Sequence, residues 1–360
     1  MTVSAFNVRD PAAAGSVPGT RVVVNTLLGD PYGREQLPGL LDEVRPDVVL
    51  LHHDLYLYSV LRESLDSCRV VVYCPVEWAG TRPGNLRTLA GADVVVTYTR
   101  FGARAIESAF AGRDDVPELA VIGHGVDTAT FRSVAGARRA LFPERPELEG
   151  AFVVLNANRN VPRKKIGVTI AAFAEFAGDK DDVYLLLHMG LSGKGVDVRA
   201  RARDLGIEDK VLLTNEDDAH PRVPDETLNL VYNAADAGLN TATGEGWGLV
   251  AFEHGATGAA QVMPDHSACA ELWRGKALLV PVEGGREDDG VVSRDGVVAA
   301  LERLYADPAL RERLGRAARQ HALDPRFNWD TIAQSWKTLL EKEAGGGRSS
   351  RAGDVRTTCR

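Results

Sequence analysis

The most constraining feature of the chain is a recurrence of short, β-branched apolar runs separated by amphipathic stretches. RVVVNTLL (from Arg21), PDVVLLH (from Pro46), RVVVYC (from Arg69), DVVVTY (from Asp93) and LAVIG (from Leu119) form a first series, spaced by 20 to 30 residues. Continuous rather than alternating apolar runs mark strands buried on both faces, and the spacing leaves room for a crossover helix after each. A charged, Pro-containing link follows, ALFPERPELEG from Ala140 to Gly150. A second series then begins: AFVVLN, VYLLLH, KVLLT, DAGLN, AQVM and KALLVPV. The pattern predicts an α/β protein with two Rossmann-like parallel-sheet units joined near residue 140. Ligands of such units sit in a cleft at the C-terminal ends of the strands. Three further helical segments are expected, from Gly296, Pro308 and Trp329.

Composition bounds the function classes. The 360 residues are 44% hydrophobic, enough for about two packed cores, yet no stretch approaches the ~18–20 continuous apolar residues of a membrane-spanning helix. The net charge is −8, and residues 1–135 hold twelve Arg and no Lys against sixteen Asp and Glu, a net −4. A nucleic-acid partner needs clustered cations, so none is expected, and docking on anionic lipid is disfavoured. The first residues carry no basic segment followed by an apolar run, so no signal peptide and a cytoplasmic location are expected. Cys68, Cys74, Cys269 and Cys359 lie far apart without metal-ligand spacing and read as reduced, mainly buried thiols. The Gly-, Ser- and Arg-rich tail, residues 344–360, reads as disordered.

The densest chemistry lies in TATGEGWGLVAFEHGATG, Thr241 to Gly258. A Gly-flanked loop opens a helix there, and a helix start presents free N–H groups and the positive end of its dipole to an anion. Gly246 and Gly248 let a ligand approach that backbone closely. Glu245 stands at the loop and Glu253 about two turns into the helix, where each could accept hydrogen bonds from sugar hydroxyls. Taken alone, they read as a helix N-terminal acid and a solvated helix residue. The other dense segment is NANRNVPRKKIGVTIAAFAEF, Asn156 to Phe176, in which Arg159, Arg163, Lys164 and Lys165 follow a strand end. Four cations there read equally as a phosphate clamp or a solvated turn.

In combination and order, the R-x4-K of Arg159 and Lys164 and the E-x7-E of EGWGLVAFE resemble the retaining GT-B glycosyltransferases of glycosyltransferase family 4, the glycosyl transferases group 1. HGVDTATF (His124 to Phe131) and SACAELWRGKALLVPV (Ser267 to Val282) extend the similarity over roughly residues 119 to 343. The resemblance implies a GT-B fold: an acceptor-side domain over 1–135, a donor-binding domain over 136–325, and a helix over 326–343 packing back on the first domain. It implies that Arg159 and Lys164 hold the diphosphate of a nucleotide-sugar donor. Glu253 would bind the ribose, while Glu245 and the backbone N–H groups of Gly246, Trp247, Gly248 and Leu249 hold sugar and phosphate. Glu245, Arg159 and Lys164 are then the catalytic set, with no cofactor and no metal. The expected reaction is retaining transfer of a hexosyl-type sugar to a glycan, a lipid-linked or a small-molecule acceptor. The alternative is a non-catalytic or partner-dependent sugar-nucleotide-binding subunit.

This chain departs from the family pattern in three places. About twenty loop-like residues precede RVVVNTLL, leaving the first domain short by one βα unit. YCPVEW (Tyr73 to Trp78) stands where many relatives carry a histidine, with Glu77 the nearest substitute, and Ala260 replaces a proline after the E-x7-E helix. His52, His53 and Asp54 end a strand, but adjacent strand residues face opposite ways, against a metal site. Asp179-Lys180-Asp181 precedes its strand and reads as a solvated turn, GLSGKG (Gly190 to Gly195) as a cleft loop, and His124 as a packing residue at the hinge. TNEDDAHPRV (Thr214 to Val223) is the candidate base-recognition stretch. Trp329 and Trp336 are expected on the core face of the last helix.

Overall fold

In a computed structural model, residues 2–6, 21–25, 30, 32–78, 83–284 and 290–345 are described. Strands β1 (Thr2–Phe6) and β2 (Arg21–Asn25) pair in parallel, so a strand stands where a loop-like start was expected. The first half is built on a four-stranded parallel sheet in the order β3 (Val49–His52), β4 (Val70–Cys74), β5 (Val94–Thr97), β6 (Glu118–Val121). Every residue of β4 and β5 is buried, as their unbroken valine runs require of strands covered on both faces.

The second half carries β7 (Phe152–Asn156), β8 (Val183–Leu187), β9 (Val211–Leu213), β10 (Ala237–Leu239), β11 (Ala260–Pro264) and β12 (Leu278–Val280). They form one parallel sheet in the order β12-β11-β10-β7-β8-β9. The chain leaves β7 toward β8 on one side and later returns to place β10 on the other, so the crevice between the C-terminal ends of β7 and β10 is the topological switch point. The Asn156-to-Lys165 loop follows β7 and the Asn240-to-Gly248 loop follows β10. Sheet topology thus brings together two segments some eighty residues apart in sequence.

The two halves share an apolar cluster. Tyr73, Val96 and Tyr98 of the first meet Trp247 and Phe252 of the second and Phe327 and Ile332 of the crossover segment. His124 sits among these rings, its Nδ1 3.0 Å from the Tyr73 hydroxyl, and burial followed by the nearby His52 lowers its pKa to about 4. The helix Trp329–Gly345 then returns to the first half: Trp336 packs edge-on to Tyr73, and Arg69 Nε donates to the buried carboxylate of Glu343 at 2.6 Å. Trp329 departs from the expected core position. It is 49% exposed and lies over Gly125, where an added Cβ would stand 2.5 Å from the indole. Ile332 and Glu343 are the buried residues of this helix and Trp336, Leu339 and Leu340 pack against the shared cluster, while Trp329 at its start stays at the edge of that core.

Cys74 and Cys269 are buried and Cys68 half-buried, all three as free thiols. The Asp179–Asp181 turn is exposed apart from Lys180, which pairs with Glu302 at 2.7 Å and lies over the Phe176 ring. Most of the tail from residue 344, with Cys359, lies outside the described residues. No helix among the described residues is long and apolar enough to cross a membrane.

The anchoring of the last helix rests on one buried carboxylate. Removing it leaves the mostly covered Arg69 guanidinium without its partner, whereas Lys342 and Glu118 pair at the surface. Glu343→Ala is expected to lower unfolding free energy by about 2 kcal/mol in urea titrations, and Glu118→Ala by less than about 0.5 kcal/mol. Equal effects would show that the helix is not held by this pair.

Candidate active site at the sheet switch point

Both strands at the switch point are followed by an asparagine that folds its loop. Asn156, at the end of β7, accepts through Oδ1 from the backbone N–H and side-chain amide of Asn158 (3.0 and 2.9 Å) and donates to Thr169 Oγ1 at 2.9 Å. Asn240, just past β10, accepts from Ala242 N–H at 2.8 Å. The Thr169 and Thr241 hydroxyls meet at 2.7 Å, and Thr241 also donates to the Lys164 carbonyl at 2.9 Å, tying the two loops together. A fully partnered polar network of this kind fixes geometry because any orphaned member would be costly.

On this frame the charges converge. Glu245 is 4% exposed and takes ion pairs from Lys164 and, at 3.2 Å, from Arg163; Asn240 adds a hydrogen bond at 3.0 Å. Burial pushes the carboxyl pKa up, but the combined Lys164 and Arg163 charges outweigh it, so the group is held below the usual range and is ionised. Lys164 Nζ also donates to Asn158 Oδ1 at 2.9 Å. Arg163 reaches the Gly244 carbonyl at 2.6 Å and, across the seam, Glu77 at 2.8 Å. Burial raises the Glu77 pKa, with Arg163 opposing. The cation beside Lys164 in this cluster is therefore Arg163. Arg159 is exposed and forms no ion pair among the described residues; burial, and after it the Arg159 charge, lowers the pKa of His220.

The loop Gly244–Gly248 runs directly against the first half. Added Cβ atoms at Gly244 and Gly246 would stand 2.5 Å from the Glu77 carbonyl and 2.8 Å from Pro75, and Trp78 Nε1 donates to Thr243 O at 3.1 Å. Gly248 is left-handed (φ 95°) and turns the chain into the helix Leu249–Thr257, whose first residue is 43% exposed. The N–H groups of that first turn have no preceding carbonyls within the helix. Trp247 is buried against Phe252, His124 and Phe327. Two turns on, Glu253 accepts from the Tyr232 hydroxyl at 2.6 Å; burial dominates that bond and raises the carboxyl pKa to about 7.

Several supports carry no motif signal. Ser267 adopts φ 51°, unusual for a residue with a Cβ, and its hydroxyl accepts from Glu245 N–H at 3.2 Å while lying 2.9 Å from His266 Nδ1. Asn160 is buried and donates to the carbonyls of Gly190, Ser192 and Val196, folding the GLSGKG loop over β8. Asn215 ties the neighbouring 214–220 loop to Met189 and Ala219. For Asn160 the alternating asparagines of NANRN were the available signal. His52 and His53 turn apart, His52 onto Tyr73 and His53 onto Tyr56.

A glycosyl transferase-like family profile matches residues 197–338. Mannosylfructose-phosphate synthase of Agrobacterium fabrum is 28% identical over 233 residues, 61% of this chain and 47% of that protein. D-inositol 3-phosphate glycosyltransferase of Streptomyces bingchenggensis is 28% identical over 280 residues, 75% of this chain and 57% of that protein. The chain spans about half the length of these curated relatives. Among solved structures, sucrose-phosphate synthase from Thermosynechococcus elongatus matches 95% of this chain and 88% of its own, with TM-score 0.73 at 19% identity. Anabaena HepE, in complex with UDP and glucose, matches 90% and 86%, with TM-score 0.67 at 18% identity. With the sheet order, the structural likenesses lead to one assignment: the chain has the GT-B fold, and its residues 197–338 are similar to the glycosyl transferase-like family.

Proposed function

We propose that the chain is a retaining, metal-independent glycosyltransferase that moves a hexosyl-type sugar from a nucleotide-diphosphate sugar to an acceptor hydroxyl. The observation that carries this reading is the convergence of Lys164, Arg163 and Glu245 beside the helix start at Gly248, on the switch point of the donor-side sheet. Two cations and free backbone N–H groups in one place stabilise charge that builds on a leaving diphosphate, as electrostatic catalysis requires. Lys164 and the exposed Arg159 are assigned to the diphosphate, with Arg163 completing the positive wall. Gly246, Trp247, Gly248 and Leu249 present their N–H groups to the phosphate and sugar, Glu245 positions Lys164 and the sugar, and Glu253 takes the ribose hydroxyls. In the transfer step the acceptor oxygen bonds to the anomeric carbon as the bond to the phosphate oxygen breaks. The departing phosphate takes the acceptor proton, on the same face of the sugar. No side-chain nucleophile is needed.

The complex of HepE with UDP and glucose supports a nucleotide donor in this fold, and the 190–196 and 214–220 loops at the ends of β8 and β9 are where the base is proposed to lie. The acceptor is proposed to enter from the side of residues 1–135. A cytoplasmic location fits such a donor.

Turnover and hydrolysis of a panel of UDP-, GDP-, ADP- and TDP-sugars test the reading. One donor is expected to be used, and Lys164→Ala to lower kcat/KM by about 10²–10³-fold, the cost of removing one preorganised charge donor. Lys164→Ala with unchanged kcat/KM would remove the assignment.

The raised Glu253 pKa gives a second test. The protonated form dominates below about 7 and accepts hydrogen bonds poorly, so donor affinity is expected to rise with pH between 6 and 8. Glu253→Gln is expected to bind donor weakly and without that slope. For stability the sign runs the other way. The native carboxyl holds its proton above the unfolded pKa, so its contribution is full below about 4.5 and is lost as pH rises through about 7. Urea midpoints of the wild type should therefore fall over that interval relative to Glu253→Gln.

A further inference from the structure

A crevice of about 690 Å³ opens between the first-half helix Arg100–Ala109 and the second-half helix Ser267–Trp273, bounded also by the crossover segment at Arg326. Its wall is positively charged to a degree unusual for a chain of net −8: Arg100, Arg104, Arg274, Lys276 and Arg326 line it, against Glu271 as the acid among the lining residues. Arg274 and Arg326 are partly neutralised from outside the crevice by Asp265 (2.6 Å) and Asp324 (2.8 Å). Among the described residues Arg100 and Lys276 form no ion pair, and Arg104 reaches Glu271 at 3.5 Å.

Glu271 shows what chemistry the crevice accepts. Its two carboxylate oxygens take the N–H groups of Arg100 and Phe101 at 2.9 and 2.6 Å, spanning the seam to cap the opposite helix. A side-chain anion from one half is thus already seated on backbone donors and a guanidinium of the other. The floor holds a second unspent group: His321 is 8% exposed, lines the crevice, and its Nε2 has no hydrogen-bond partner. Burial, and then the neighbouring Lys276 and Arg326 charges, lower the His321 pKa to about 4, so the ring is neutral.

We propose that this crevice is a second anion site, binding a small phosphorylated molecule, a phosphate ester or diphosphate, at the seam between the two halves. The ligand's oxygens take Lys276, Arg104 and Arg100 and compete with Glu271 for the start of the Arg100–Ala109 helix. Three unneutralised or weakly paired cations match the charge of a diphosphate, and a crevice of this volume admits a small molecule. Because Ser267 lines the crevice and its hydroxyl holds Glu245 N–H, occupancy touches the donor-side loop through one residue.

Inorganic pyrophosphate is the probe, titrated calorimetrically into full-length protein carrying Lys164→Ala, which weakens binding at the donor cluster. One pyrophosphate per chain is expected to remain. Adding Lys276→Ala or Arg104→Ala should weaken it about tenfold each, and adding Glu271→Gln should tighten it several-fold by removing the competing carboxylate. Far-UV circular dichroism verifies each fold, and glutamine replacements at 104, 164 and 276 stand in for an alanine variant that unfolds. Absence of pyrophosphate binding in the Lys164→Ala protein, or binding indifferent to changes at 104, 276 and 271, overturns the proposal. Neither result bears on donor use, which is read from Lys164→Ala turnover.

Discussion

Burial of the Glu245 carboxylate at the switch point is the constraint on which the rest of the site depends. An ionised carboxylate in that position costs several kcal/mol to desolvate unless it is paired and hydrogen-bonded, and truncating one partner of such a pair is strongly destabilising. Lys164, Arg163 and Asn240 supply the pairing, and each is placed by the C-terminal end of a strand or by the loop that follows it. Parallel pairing of β7 with β10 is what makes those loops neighbours. Under the proposed function, a diphosphate arriving at Lys164 would not enter an empty positive pocket but would compete with an internal carboxylate for the same cation. Pairing with Glu245 holds the two cations in place, and under the proposed function that preorganisation is what would give electrostatic catalysis its advantage over water.

The two halves meet through interactions of different character. Aromatic packing of Tyr73, Tyr98, His124 and Trp247 forms the apolar part, the Arg163–Glu77 pair lies beside the donor cluster, and Glu271 caps a helix across the seam. The apolar contacts are indifferent to charge, whereas the two carboxylate contacts respond to any competing anion. A donor phosphate near Arg163 would weaken the Glu77 contact, and an anion in the Arg100–Lys276 crevice would weaken that of Glu271. Under those two proposals the contact between the halves would be linked to what is bound at its edges.

Much of the fold was legible because unbroken valine runs can be satisfied only by strands covered on both faces; β4, β5, β7 and β8 are buried throughout. Spacing alone also placed Lys164 and Glu245 at strand ends. It did not reveal which of four clustered cations would turn inward. That choice is set by Lys165, which adopts a left-handed φ of 50° at the helix start, and by the Thr241 hydroxyl that grips the loop backbone, neither of which has a periodic signature. Arg163 rather than Arg159 joins Lys164 on Glu245 for this reason. Thr2–Phe6 was missed because five residues bounded by polar sequence carry too weak a pattern, and Trp329 because indole size suggests a core position while the helix buries few of its residues.

The most direct measurement is a crystal structure of the chain with the nucleotide diphosphate of its donor. The mechanism requires the distal phosphate within hydrogen-bond distance of Lys164 Nζ and of the N–H groups that follow Gly248, with the Lys164–Glu245 pair lengthened to admit it. A diphosphate bound away from the switch point, with Lys164 and Glu245 still closed on each other, would contradict it.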